Sequence, residues 1–130
     1  MKILISANSS WYLWNYRTGL IQALAEAGHE VRILAPMDRT SNKLSDLNCK
    51  FQSLSMHGKG TNAIEEVFLF LRFYRAVRKI SPNVLLTFTV KPVVYGGLVA
   101  RIIGIPSIPT ITGLGTAFIN ENWVTRVVGV

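Results

Sequence analysis

The stretch from Leu85 to Gly115, LLTFTVKPVVYGGLVARIIGIPSIPTITGLG, constrains the fold more than any other part of the chain. An apolar run ends in Thr89-Val90-Lys91-Pro92, a helical segment rich in small residues follows, Gly104 and Pro106 punctuate it, and a second apolar run ends in Gly113-Leu114-Gly115. Two neighbouring strands joined through a helix run parallel, because the helix carries the chain back to the starting edge of the sheet. The stretch is therefore one βαβ unit. Ligands of open parallel sheets sit beyond the carboxyl ends of the strands, so the loops at 89–92 and 112–116 are the first places to look for binding.

The same alternation runs through the rest of the chain. Residues 2–7 form a largely apolar run bounded by Asn8, Ser9 and Ser10, the pattern of a central strand covered on both faces. A turn rich in aromatics follows. Over 14–27, Leu20, Leu24 and Ala27 recur at helical spacing with Ile21 beside them, and Gly28 stands where a left-handed cap belongs. Residues 31–35 predict a second strand closed by Pro36, 38–48 a polar loop with a short helix from Ser41, 51–54 a third strand and 55–61 a loop. The longest helix is expected over 62–80, capped by Asn62, with Glu65 and Glu66 in its first turn where they complement the helix dipole. Strands over 84–88 and 107–112 flank a helix over 93–103, and a last helix begins near Asn120. Five strands alternating with helices predict an α/β fold, a doubly wound parallel sheet with helices on both faces.

At 130 residues and 49% hydrophobic, the chain has room for a single domain with a core of its own. The apolar stripe Trp123, Val124, Val127 and Val128 has nothing after it to pack on, so residues 1–130 read as the first half of something larger. The single cysteine, Cys49, excludes an internal disulfide and a cysteine-based zinc cluster, and fits a buried thiol in a reducing compartment. The opening MKILISANSS holds only about five apolar positions, too short for a signal-peptide core, so a cytoplasmic location is expected. No run approaches the roughly 18 apolar residues of a membrane span, and the greasiest, 67–71, is cut by Arg72.

A net charge of +7 favours an anionic partner. A dinucleotide site would place G-x-G-x-x-G after the first strand, but that loop reads Asn8-Ser9-Ser10-Trp11-Tyr12-Leu13 and has no glycine. It holds Trp11, Tyr12, Trp14, Tyr16 and Arg17 instead, beside a helix N-terminus whose N–H groups attract anions. Such rings stack on sugars or fill a core, and Arg17 suits a phosphate. Lys91, directly after the fourth strand, reads as a phosphate or acidic-sugar contact or as a solvated loop lysine. Gly113 and Gly115 allow a close backbone approach to a ligand or simply a tight turn. On the long helix Arg72, Arg75, Arg78 and Lys79 make a basic stripe, suited to an anionic membrane surface or to plain solvation. Neither His29 nor His57 has a ligand set around it, so no metal is expected, and no Ser, His and acid arrangement can be read.

These residues carry a family resemblance. MKILISANSSWYLWNYRTGLIQALAEAGHEVRILAP resembles the opening of the GT-B glycosyltransferases of family 4, and the TFTVKP and TITGLG pieces look like the fourth and fifth strands of the same N-terminal, Rossmann-like domain in enzymes of bacterial surface-polysaccharide synthesis. The resemblance spans nearly the whole chain. It implies the acceptor-binding half of a retaining glycosyltransferase that acts on a lipid-linked sugar at the inner face of the plasma membrane. The nucleotide-sugar would be bound by a C-terminal domain that this chain lacks, leaving residues 1–130 inactive alone. Carried over by position, the acceptor site would involve Asn8, Ser9, Ser10, Tyr12, Thr89, Lys91, Thr112, Gly113 and Gly115, beside Arg17 as the phosphate contact read above. No catalytic base is assigned, and no cofactor and no nucleic acid is expected. Two alternatives stand beside this reading: a non-catalytic subunit that docks on a separate glycosyltransferase chain, and a flavodoxin-like nucleotide-binding domain.

Overall fold

The computed structural model describes residues 1–56 and 63–110. In chain order the elements are β1 (Lys2–Ser6), α1 (Ser10–Tyr16), α2 (Thr18–Glu26), β2 (Glu30–Ala35), α3 (Ser41–Ser45), β3 (Lys50–Ser53), α4 (Ala63–Ile80), β4 (Val84–Phe88), α5 (Val90–Ile103) and β5 (Ser107–Thr110). The strands form one sheet in the order β3-β2-β1-β4-β5, and every pairing is parallel. This is the expected doubly wound arrangement, with the order reversing between β1 and β4.

Alternation along the strands sorts the core into two layers. Ile3, Ile5, Val31, Ile33 and Phe88 pack with Leu13, Ile21 and Leu44, so α1, α2 and α3 cover one face. Leu4, Leu34 and Leu85 pack with Leu69, Phe73, Val77 and Val99, so α4 and α5 cover the other. Coverage on both faces is why the strands are apolar runs rather than alternating ones. Each fully buried leucine or isoleucine contributes about 2 kcal/mol.

Local differences from expectation have local causes. The aromatic turn is itself helical: α1 spans it, with Ser9 Oγ accepting from the Tyr12 N–H at 3.2 Å as the N-cap. The expected single helix over 14–27 breaks at Arg17 (φ −126°) and resumes as α2, where Ile21 rather than Leu20 is buried. Gly28 (φ 93°) closes α2 as anticipated: its N–H and that of His29 donate to Ala25 and Leu24, a Schellman cap. Helix α5 starts at Val90, three residues earlier than expected, because Pro92 sits in the first turn where its missing N–H costs nothing. β3 starts at Lys50, one residue early. The Asn62 cap, His57, the end of the fifth strand and the last helix with its Trp123 to Val128 stripe lie outside the described residues.

Cys49 is half-buried and donates to the Leu44 carbonyl at 2.9 Å; burial pushes its pKa up to about 11, so the thiol stays protonated at neutral pH. No described helix is long and apolar enough to cross a membrane.

Candidate functional site

The reversal of strand order puts the ends of β1 and β4 side by side, and the chain leaves them toward opposite faces. The Asn8 N–H donates to Thr89 Oγ1 at 3.0 Å, which ties the two exits together, and the same hydroxyl donates to the Phe88 carbonyl. Thr89 holds φ 68° and ψ 163°, a region that L side chains rarely enter. Strain of this kind persists only where surrounding contacts impose it, and here it lies at the switch point, the position where sheets of this class bind ligands.

On the α1 side, Arg17 closes the floor of the crevice. Its guanidinium stacks 4.8 Å from the centre of the Phe88 ring and 5.7 Å from that of Tyr12, and it donates to Tyr12 Oη at 3.0 Å. Arg17 Nε is buried and has no acceptor among the described residues. Tyr12 and Trp14 pack against the core, whereas Trp11 and Tyr16 stand in solvent with their rings 5.8 Å apart, edge to face. The aromatic cluster thus divides into two core-packed rings and two exposed ones, with Tyr16 also 5.3 Å from Tyr12.

The N-terminus of α1 was expected to attract an external anion, and an internal one already occupies it. Asp38 Oδ2 accepts from the Trp11 N–H at 3.1 Å, while Oδ1 accepts from the Thr40 N–H at 2.8 Å and from its hydroxyl at 2.6 Å. Ser10, completely buried, donates to the Pro36 carbonyl at 2.5 Å. Ser10 is thus engaged inside the loop, while Ser9, half-buried, caps α1. Burial acts to raise the Asp38 pKa, but hydrogen bonds from Thr40, Trp11 and Ser10 outweigh it and hold the carboxyl below its ordinary value of 3.8. A lowered pKa in the folded state means stability that is present above about pH 3.8 and lost as pH falls through the folded value. Thermal melts of wild type and Asp38→Asn should differ most near neutral pH and converge in acid.

On the other side Lys91 lies in the first turn of α5, where a cation opposes the helix dipole. Glu66 compensates it: Lys91 Nζ to Glu66 Oε1 is 2.9 Å, and Tyr95 Oη donates to Glu66 Oε2. The Lys91 side chain is 18% exposed and that of Glu66 27%, so Lys91 stands in a partly buried ion pair rather than as a solvated lysine. Thr112, Gly113 and Gly115 lie outside the described residues. Asp38 and Glu66 are what sequence reasoning missed; the Asp-x-Thr-Ser turn after β2 signals the first, whereas 25 residues separate Glu66 from Lys91 and no linear pattern joins them. Among the described residues no cluster of three or more His, Cys, Asp or Glu could hold a metal.

The family model described as glycosyl transferase 4-like matches residues 2–123. Sequence comparison with curated proteins gives no match. Among solved structures, the glycotransferase of kitacinnamycin superposes with a TM-score of 0.67 at 18% identity, covering 98% of this chain and 34% of that one. MurG of Acinetobacter baumannii gives 0.66 at 18%, covering 95% and 38%. The UDP-GlcNAc 2-epimerase of Methanocaldococcus jannaschii gives 0.67 at 19%, covering 98% and 36%. At these identities the likeness is one of fold, and the chain spans about a third of the length of the structures it matches.

Proposed function

The chain belongs to the glycosyl transferase 4-like family, and from that premise we propose that it is the acceptor-binding, N-terminal half of a retaining glycosyltransferase that moves a sugar from a nucleotide-sugar to a lipid-linked saccharide in surface-polysaccharide synthesis. The observation that carries this reading is Arg17, whose buried Nε lacks an acceptor among the described residues and whose guanidinium stacks on Phe88 at the end of β4. A buried N–H without a partner is costly, and a phosphoryl oxygen of a diphosphate-linked acceptor supplies the missing one.

In this account Asn8 and Thr89 tie the two strand ends together, Arg17 and the Lys91–Glu66 pair flank the acceptor diphosphate, and the exposed Trp11 and Tyr16 rings offer stacking faces for its sugar. Ser9, Ser10 and Tyr12 hold α1 and Arg17 in place. Thr112, Gly113 and Gly115 complete the proposed acceptor contacts. The nucleotide-sugar would be held by a further, C-terminal domain, and the chemistry of transfer would occur between the two.

A lipid-linked acceptor calls for contact with a membrane surface, and α4 offers one. Ile64, Val67, Phe68 and Leu71 are all exposed on its first half, and Arg72, Arg75, Arg78 and Lys79 continue outward along its second. Exposed apolar residues beside cations suit the headgroup boundary of an anionic leaflet, reached from the cytoplasmic side.

Similar folds serve an epimerase as well as transferases, so family membership rather than shape favours transfer. The test joins this domain to a donor-binding domain of the same family and measures sugar transfer. Arg17→Gln should lower kcat/KM for a diphosphate-linked acceptor by about tenfold to a hundredfold, the scale of one charge-assisted hydrogen bond. Transfer unaffected by Arg17→Gln, and by Lys91→Ala combined with Tyr12→Ala, would overturn the assignment.

A further inference from the structure

A second concentration of charge lies at the opposite end of the sheet. Lys2 stands across from Glu30, Arg32 across from Lys50, and Leu34 across from Gln52 in the strand register. Leu4 and Leu34, which share the parity of these polar residues, pack against α4, so all five polar side chains project from the α4 face. Helix α4 covers the middle of that face and stops at Ile80, whose carbonyl accepts from Lys2 Nζ at 2.8 Å. Beside it Arg32, Lys50, Gln52, Phe51, Ile33 and Ile80 line an open cavity of about 220 Å³.

One carboxylate serves this group. Glu30 Oε2 accepts from Arg32 Nε at 2.8 Å and lies 4.0 Å from Lys2 Nζ. The Arg32 hydrogen bond, with the charges of Arg32, Lys2 and Lys50 behind it, holds the Glu30 carboxyl below its ordinary value of 4.5 although desolvation opposes it. Among the described residues three cations thus gather around a single anion. Lys50 forms no ion pair among the described residues, and Arg32 engages Glu30 through Nε alone, which leaves its terminal nitrogens for another acceptor.

We infer that this cavity binds a phosphate-class oxyanion. Lys50 supplies a point charge, Arg32 a planar fork that matches two phosphoryl oxygens, and the Gln52 amide a neutral donor. Ile80 borders the cavity from the end of α4, while Ile33 and Phe51 send their side chains to the opposite layer and line it with backbone. The volume exceeds several times the ~30 Å³ of a water molecule and accommodates a diphosphate. The cavity lies over the amino-terminal halves of β2 and β3, apart from the acceptor crevice at the carboxyl ends of β1 and β4.

The probe is inorganic pyrophosphate, titrated into the 130-residue chain at low salt while amide shifts are followed by NMR. Saturable shifts are expected at Arg32, Lys50 and Gln52. Lys50→Gln, an exposed substitution on an edge strand, should weaken binding by about tenfold, equivalent to ~1.4 kcal/mol, and Lys43→Gln on the opposite face should leave it unchanged. Vesicles containing phosphatidylglycerol separate the two sources of the group: if Lys50→Gln also lowers vesicle binding the oxyanion is a lipid headgroup, and if it lowers only pyrophosphate binding it belongs to a soluble phosphorylated molecule. Absence of saturable shifts at these amides, or equal weakening by Lys43→Gln, would overturn the inference.

Discussion

Gly96→Val is expected to destabilise the domain by about 3 kcal/mol, whereas Gly97→Ala, one residue further along the same helix, should stabilise it by about 0.5–1 kcal/mol. The two glycines differ in what surrounds them. A Cβ on Gly96 would lie 2.6 Å from Thr87 Cγ2 and 3.1 Å from Leu85 Cδ2, both fully buried on β4, with Phe73 Cζ at 3.7 Å behind them. Thr87 is β-branched and stiff at χ1, so it cannot turn the methyl aside without moving the backbone. A Cβ on Gly97 meets nothing within 4 Å, and only the entropic cost of a helical glycine is removed. Urea midpoints for the two variants measure both effects. The close approach also has a functional side: it seats α5 on β4 and so sets where the helix begins, at Thr89 and Lys91. Gly96→Val should therefore impair acceptor binding even at temperatures where it remains folded.

Thr89→Gly should separate stability from function. Its backbone lies in a region that costs a non-glycine residue about 1–3 kcal/mol, and glycine removes that cost. The substitution also deletes the hydroxyl that accepts from Asn8, worth about 0.5–1.5 kcal/mol. The two changes nearly cancel, so the unfolding midpoint should stay close to wild type or rise. Affinity for a diphosphate-linked acceptor should nevertheless fall by about tenfold, because the β1 and β4 exits are no longer tied. A large loss of stability with affinity intact would make Thr89 a purely structural clasp.

The fold was legible because burial on both faces writes itself into the strands as apolar runs, and because glycine and proline mark their ends. Gly28 and Gly104 both adopt positive φ where the sequence places helix ends. What escaped were features decided by geometry across the chain. The aromatic turn becomes α1 because Ser9 caps it and Asp38, 27 residues away from Trp11, fills its N-terminus. Propensity weighs local residues and is blind to such a distant anion. Lys91 was identified as a charge at the crevice, but its pairing with Glu66 depends on how α4 packs on α5. Arg17 was visible as a candidate phosphate contact, while its stacking on Phe88 requires β4 to lie next to β1, a consequence of sheet order that no local pattern encodes.

The proposed function turns on binding of a diphosphate-linked acceptor in the crevice between the ends of β1 and β4. It is tested most directly by titrating a short-chain, water-soluble prenyl-diphosphate sugar into the isolated domain and following its amide and arginine side-chain resonances by NMR. Saturable shifts at Asn8, Thr89, Val90 and Arg17 Nε are predicted, reduced in Arg17→Gln. Shifts confined to Arg32, Lys50 and Gln52 at the far end of the sheet, or no saturable shift at all, would contradict the account.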